Sequence, residues 1–380
     1  MVSWEIAIPR RVVFGVGKAL VCVPEILAMG GRIALVTGSD PRRARWISQA
    51  LEDLGGQVLT LTCPGEPSLD VLRERLAEAR KARVDVVVGI GGGSALDLAK
   101  AIAALVPGVE DPMEHLEVVG GGRTIAHAGL PCVTIPTTSG TGAEATRNAV
   151  ISAAGVKASL RGPQLMPVLA VVDPTLTLGL PSQTTAFTGL DALTQLIEPL
   201  VSRFATTFSD SLCREGIPRS VRSLPKAIQD GSDLQARTDL AEASLFSGMA
   251  LANSKLGAVH GLAAPLGGRL GAPHGELCAR LLVPVWKANT KALSDRPEGL
   301  ARYREVAKLL CGHAEASLED GLAVLKSLSA LAGNRGLSHW GMTRADIPAM
   351  REAGLRASSM KGNPVDLLPA EIDAILEEAM

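Results

Sequence analysis

Aromatic residues are scarce in this chain, at 3% of 380 residues with a single tyrosine. A close-packed interior must then be assembled from Ala, Val, Leu and Ile. No stretch approaches the ~18 uninterrupted apolar residues of a membrane span. The start, MVSWEIAIPRRVVFGVGK, also lacks the basic-then-apolar pattern of a secretory leader. A cytoplasmic protein with no membrane partner is expected. An excess of one charge is missing too: 38 basic against 39 acidic residues, interspersed, leave a net charge of -1. That gives no electrostatic footprint for nucleic acid. Cys22, Cys63, Cys132, Cys213, Cys278 and Cys311 show no CxxC or other short metal-type spacing. They read as reduced, mostly buried thiols.

What is present is length and glycine. At ~150 residues per domain the chain is long enough for two, and its 40 glycines suit a fold with many tight turns. The first half alternates short β-branched runs with helical patterns: RIALVT and QVLTLTC as strands, PRRARWISQALEDLG and SLDVLRERLAEARKA as helices, then VDVVVGIGGGS, ALDLAKAIAAL and PCVTIPTTSGTGAE. This order predicts a parallel sheet covered by helices. From about Pro181 the pattern becomes long Ala/Leu-rich amphipathic stretches without period-2 runs, with the shift in TLGLPSQTT at 177–185. The expected architecture is an α/β N-terminal dinucleotide-binding domain over residues 1–180 and an all-α C-terminal domain over 181–380.

The dinucleotide expectation rests on two turns. In VDVVVGIGGGSALDLAKAIA, Gly91, Gly92 and Gly93 join a strand to a helix, where backbone can approach a ligand closely and helix N–H groups face it. Ser94 and Asp97 fit a capping box. The spacing is not GxGxxG, and an isolated glycine cluster serves equally well as a plain strand-to-helix connection. A second hydroxyl- and glycine-rich turn, PTTSGTGAE, also follows a strand. Two such loops at the carboxyl edge of one sheet are what an open α/β sheet presents to a nucleotide. The first strand ends in Gly38 and Ser39, with Arg42 and Arg43 behind and Asp40 between. That turn leans toward NADP over NAD, because a 2′-phosphate needs room and a cation.

In TGLDALTQLIEPLVSRF, Leu193, Leu196, Ile197 and Leu200 recur at helical spacing, and Asp191, Gln195 and Glu198 line the other face. Downstream, His260 and His274 each precede a glycine. Taken singly, each is as readily a buried structural histidine. With Asp191 they give a carboxylate and two imidazoles, a set suited to a divalent transition metal acting on an alcohol or carbonyl oxygen. His115, His127, His313 and His339 lack that context and are read as surface or structural.

GIGGGSALDLAKAIA, PTTSGTGAEAT, TGLDALTQLIE, HGLAAPLGG and PHGELCARLLVPV, in this order over nearly all of the chain, resemble the iron-containing (group III) alcohol dehydrogenases. Those enzymes share their fold with glycerol dehydrogenase and dehydroquinate synthase. The resemblance implies hydride transfer between NAD or NADP and a small-molecule alcohol or carbonyl substrate. It also implies a divalent metal, iron or zinc, between the two domains, and a homodimer. It assigns Gly91, Gly92, Gly93, Ser94 and Asp97 to the cofactor's pyrophosphate and nicotinamide region, Thr137, Thr138 and Thr141 to cofactor contact, and Lys157 to the ribose. Gly38 stands where NAD-preferring members place an aspartate.

The metal site departs from the family pattern. Asp191, His260 and His274 match, but Gln195 replaces the helix histidine and Ala264 replaces a histidine thought to relay protons. An amide oxygen is a weaker donor than imidazole toward late first-row ions, so Gln195 as a ligand implies a weaker site or one tolerant of harder metals. Three alternatives stay open: a metal-independent reductase like the maleylacetate reductases, a lyase or cyclase of the dehydroquinate synthase type, and a nucleotide-binding pseudoenzyme with a degraded metal site.

Overall fold

The computed structural model describes residues 4–333 and 335–380. The chain forms two compact units. One comprises Ala7–Thr138 and Gly142–Leu178; the other comprises Gly179–Met380 with Ser139–Thr141 and residues 4–6.

In the first unit the chain runs β1 (Arg11–Phe14), α1 (Lys18–Val21), α2 (Val23–Met29), β2 (Arg32–Thr37), α3 (Arg45–Asp53), β3 (Gln57–Thr62), α4 (Leu69–Ala82), β4 (Val86–Gly91), α5 (Gly93–Leu105), β5 (Cys132–Pro136), β6 (Asn148–Ala153), β7 (Val156–Arg161) and β8 (Leu169–Val172). Six strands form one sheet in the order β1-β8-β5-β4-β2-β3, parallel throughout. β4, β5 and β8 are buried along their whole length. Burial on both faces explains why they read as near-continuous apolar runs rather than alternating ones. The expected α/β class is observed. The chain leaves β2 toward β3 and then returns to the other side of β2 for β4, so the strand order reverses between β2 and β4. Ligands of open α/β sheets bind at such a reversal, outside the carboxyl ends of the strands.

The antiparallel pair β6–β7 was not foreseen. Its connection is Ala154-Gly155, both with positive φ at 50 and 76. A two-residue turn with both φ positive suits the twist of a hairpin, but with Ala in the first place the sequence lacks the usual Asn-Gly or Asp-Gly signal.

The second unit contains α6 (Ser182–Val201), α7 (Thr207–Gln229), α8 (Leu234–Asn253), α9 (Ala258–Leu270), α10 (His274–Ala292), α11 (Pro297–Cys311), α12 (Leu318–Ala330), α13 (Ile347–Arg356) and α14 (Pro369–Ala379). Among the described residues no strand follows Val172, and no helix is long and apolar enough to cross a membrane. Every residue of α6 from Gly189 to Val201 is buried. A helix buried all round belongs to the middle of its domain, so the polar stripe read from its sequence meets protein and every polar group on it needs a partner. Thr194 donates its hydroxyl back to the Leu190 carbonyl at 2.7 Å. Asp191, Gln195 and Glu198 find partners on other segments.

Candidate functional site

Three helices converge on Asp191. α9 delivers His260, whose Nε2 lies 3.2 Å from Asp191 Oδ1. α10 begins at His274, whose Nε2 lies 3.8 Å from the same oxygen. α10 can start there because residue 275 is glycine: a Cβ at Gly275 would stand 2.2 Å from the Phe187 carbonyl oxygen on α6. One turn further along α10, Cys278 Sγ is 3.8 Å from His260 Nε2 and 3.7 Å from His274 Nε2. One donor atom from each of Asp191, His260, His274 and Cys278 lies within 4.8 Å of the other three. Asp191, His260 and Cys278 are buried; the His274 side chain is 33% exposed and marks the open side of the cluster.

Glu198 sits behind His260. Its Oε2 is 2.6 Å from His260 Nδ1, and its Oε1 accepts the Val259 N–H at 2.7 Å. The Ala258 N–H goes to Asn363 Oδ1 at 3.1 Å. Two N–H groups at the start of α9, which a helix end leaves unpaired, are thus taken by side chains from elsewhere in the unit. With the carboxylate on Nδ1, Nε2 is the ring nitrogen turned toward Asp191. A carboxylate behind an imidazole in this way fixes its tautomer and orientation at metal sites. The sequence reading placed Glu198 on the polar stripe without a role, although it lies seven residues, two helical turns, after Asp191. Cys278 was read only as a buried thiol. Its signal was the i, i+4 spacing from His274, which puts both on one helix face.

Gln195 is buried, and its Nε2 donates to the Gly140 carbonyl at 3.2 Å. That bond ties α6 to the short segment Ser139–Thr141.

The electrostatics favour a cation. Burial works against charge on both rings, but the sulfur of Cys278 with Glu198 and Asp191 outweighs it and pushes the His260 imidazole well above its ordinary value. Cys278 and Asp191 raise His274 in the same way. Burial would raise the Asp191 carboxyl, yet the charge of His274 and the hydrogen bond and charge of His260 hold it below the usual carboxylate range. A nest that draws positive charge onto two buried imidazoles also stabilises a divalent ion, and carboxylate, imidazole and thiol are donors that such ions accept.

In the α/β unit, Gly38, the Gly91–Ser94 turn and Thr137–Thr138 follow three adjacent strands, β2, β4 and β5. Gly91 has φ 151, and a Cβ there would stand 2.8 Å from the Ala95 Cβ, so only glycine fits. The Thr137 N–H bonds the Gly91 carbonyl at 2.9 Å. A Cβ at Gly38 would meet nothing within 4 Å, and Ser39 beside it is exposed. α5 starts at Gly93 with Gly92 as its N-cap and no side-chain cap. The expected capping box is therefore absent: the helix begins one residue before Ser94, which places Ser94 and Asp97 inside it. Asp97 instead pairs with Lys100 at 2.9 Å and accepts the Val150 N–H at 3.0 Å. Lys157 pairs with Glu66 at 2.5 Å. The Arg42 guanidinium grips Asp40 at 2.8 and 3.0 Å, and Arg43 beside it is exposed. Thr141 lies in the segment Ser139–Thr141 of the helical unit.

Residues 9–174 match the family description "Iron-containing alcohol dehydrogenase", and residues 185–380 match "Fe-containing alcohol dehydrogenase family, C-terminal". The long-chain-alcohol dehydrogenase 1 of Geobacillus thermodenitrificans is 34% identical over 364 residues, 94% of this chain and 92% of that protein. A solved 1,3-propanediol oxidoreductase superposes with TM-score 0.92 at 30% identity, covering 100% of both chains. The sulfoacetaldehyde reductase from Bifidobacterium kashiwanohense, solved in complex with NAD+, gives TM-score 0.88 at 26% identity over 100% of this chain and 99% of that one.

Proposed function

This chain belongs to the iron-containing alcohol dehydrogenase family, and from that premise we propose that it interconverts a small-molecule alcohol and its carbonyl compound at a divalent metal held by Asp191, His260 and His274. It is an oxidoreductase acting on CH–OH groups, of a family that uses NAD(P) and a metal. The observation that carries the site assignment is the convergence of these three side chains, distant in sequence, into one buried cluster with Glu198 behind His260.

When bound, the cofactor supplies or takes the hydride, and the divalent ion draws electron density from the substrate oxygen. Asp191 contributes negative charge, and the two imidazoles contribute neutral nitrogen donors once their protons have left. Glu198 keeps His260 Nε2 aimed at the site. Gly38, Ser39, the backbone of Gly91, Gly92, Gly93 and Ser94, and the hydroxyls of Thr137, Thr138 and Thr141 are the proposed cofactor contacts. Asp97 and Lys157 act in this reading by holding α5 and β7 in place, since each is already paired within the protein. Residue 264 is alanine, which has no proton to relay, so the proton of the substrate oxygen travels by a route that does not use this position. The relatives are named for long-chain alcohols, 1,3-propanediol and sulfoacetaldehyde, so the fold does not fix the substrate.

The test follows NADPH and NADH oxidation against a panel of aldehydes and ketones, with and without chelator. Turnover that chelator abolishes and an added divalent ion restores is expected, with Asp191→Ala inactive yet folded. Full activity of Asp191→Ala refutes the ligand assignment. Metal-independent turnover of an unsaturated keto diacid points instead to the maleylacetate reductase type. A homodimer is part of the proposal, and sedimentation of the purified chain decides it.

A further inference from the structure

We propose that Cys278 is the fourth protein ligand of this metal, taking over from α10 the place that residue 195 on α6 does not fill, and that its sulfur strengthens the site's preference for zinc over iron. The inference rests on the metal-dependent reading above.

Position 195 is occupied by a side chain with another task. Gln195 points its amide N–H at the Gly140 carbonyl, 3.2 Å away, and so ties α6 to Ser139–Thr141. Cys278, in contrast, is fully buried, and its sulfur contacts the Nε2 atoms of His260 and His274, the two nitrogens the metal needs. The separations fit a common ion. Metal–nitrogen and metal–oxygen bonds of ~2.0 Å with a metal–sulfur bond of ~2.3 Å give tetrahedral edges of about 3.3 Å between nitrogen and oxygen and about 3.5 Å between nitrogen and sulfur. The protein places oxygen and nitrogen 3.2 and 3.8 Å apart and nitrogen and sulfur 3.7 and 3.8 Å apart. The other two edges are no longer than 4.8 Å, and inward movement of the side chains closes this set around one ion.

The chemistry follows from the donor exchange. As the ion binds, the thiol proton leaves to solvent and the thiolate becomes the ligand. One carboxylate and one thiolate then neutralise a divalent charge in a buried site. Thiolate favours softer, later ions, and zinc stands above iron(II) in the affinity order even without it. The partly exposed His274 leaves one side of the cluster open, and zinc can take a fifth donor, so substrate oxygen would still have a place.

The full-length protein is loaded with zinc, iron(II) or cobalt(II), and three readouts are taken that do not depend on turnover. Cobalt(II) in the wild-type site should show an intense near-ultraviolet thiolate-to-cobalt charge-transfer band. X-ray absorption of the zinc form should show one sulfur neighbour. Competition should show zinc bound more tightly than iron(II). Cys278→Ser should lose the band and more than about 100-fold in zinc affinity, beyond what an outer-shell partner typically contributes. Gln195→Ala should keep the band and one zinc per chain. Cobalt bound at one ion per chain without the band, or an all-nitrogen-and-oxygen zinc shell in the wild-type protein, overturns the Cys278 assignment and leaves the Asp191–His260–His274 site standing. If no ion binds the wild-type chain, both readings fall. The two wild-type spectra decide the question even where Cys278→Ser folds poorly.

Discussion

Glu198 holds two groups at once, and a conservative change separates them. Its Oε2 meets His260 Nδ1 and its Oε1 takes the Val259 N–H. Glu198→Gln can keep the second contact but puts a neutral amide behind the imidazole. Metal affinity should then fall 10–100-fold, the usual effect of losing such an outer partner, while the melting temperature of the metal-free protein changes little. Competition titration with a chromogenic chelator measures the first and calorimetry the second; wild-type affinity in the variant sinks the positioning role. At this scale the sequence revealed residue types and spacings but not partners. Asp191, His260 and His274 stood out because Asp191 lies on the polar side of an amphipathic helical pattern and each histidine directly precedes a glycine. Cys278 did not, since an apolar neighbourhood in sequence suits a core thiol equally well, and only the meeting of α6, α9 and α10 shows what its sulfur faces. Gln195 was legible as a departure, whereas its contact with Gly140, 55 positions away, was not.

Among the elements, α5 shows how one buried cation can fix a helix. Lys100 has no exposed surface, and its Nζ donates to the Ala143 carbonyl at 2.9 Å, Thr146 Oγ1 at 2.9 Å and the Asn148 carbonyl at 2.5 Å, besides pairing with Asp97. It binds α5 to the segment that carries PTTSGTGAE into β6, and so holds the two glycine-rich turns on one scaffold. Lys100→Met leaves the part-buried Asp97 carboxylate without its cation and removes one donor from each of three oxygens. Breaking a buried pair typically destabilises by about 3–5 kcal/mol, and urea unfolding of the α/β unit should show a loss of that size; a loss within about 0.5 kcal/mol, ordinary for a surface site, removes Lys100 from this role. Lys100 reads in sequence as a routine charge on an amphipathic helix, because the pattern ALDLAKAIAAL does not reveal that both faces are covered. The parallel strands were legible, since β-branched runs alternated with helical ones. β1, only four residues long, and the β6–β7 hairpin with its Ala154-Gly155 turn escaped for want of length and of a turn signal.

Across the whole molecule the charges nearly cancel, at -1, so general self-repulsion is small near neutrality and the pH dependence of stability falls to a few buried groups. Cys132, pushed up to about 12 by burial, stays neutral over the working range. Glu144, in the second glycine-rich turn, does not: burial raises its carboxyl from 4.5 to about 7, against the weaker pull of its own backbone N–H and Lys100. The unfolded chain releases this proton near 4.5 while the folded one keeps it to about 7. In that window the unfolded state binds fewer protons, so stability falls as pH rises. At 1.36 kcal/mol per pKa unit the loss across the window is about 3 kcal/mol. Glu144→Gln removes this dependence, because an amide has no proton to release. Urea unfolding of both proteins between pH 4.5 and 8 should give curves whose difference grows with pH by roughly that amount and levels off above 7. A difference that stays flat, or one that shrinks as pH rises, shows that the carboxylate finds in the folded protein the solvation that burial denies it.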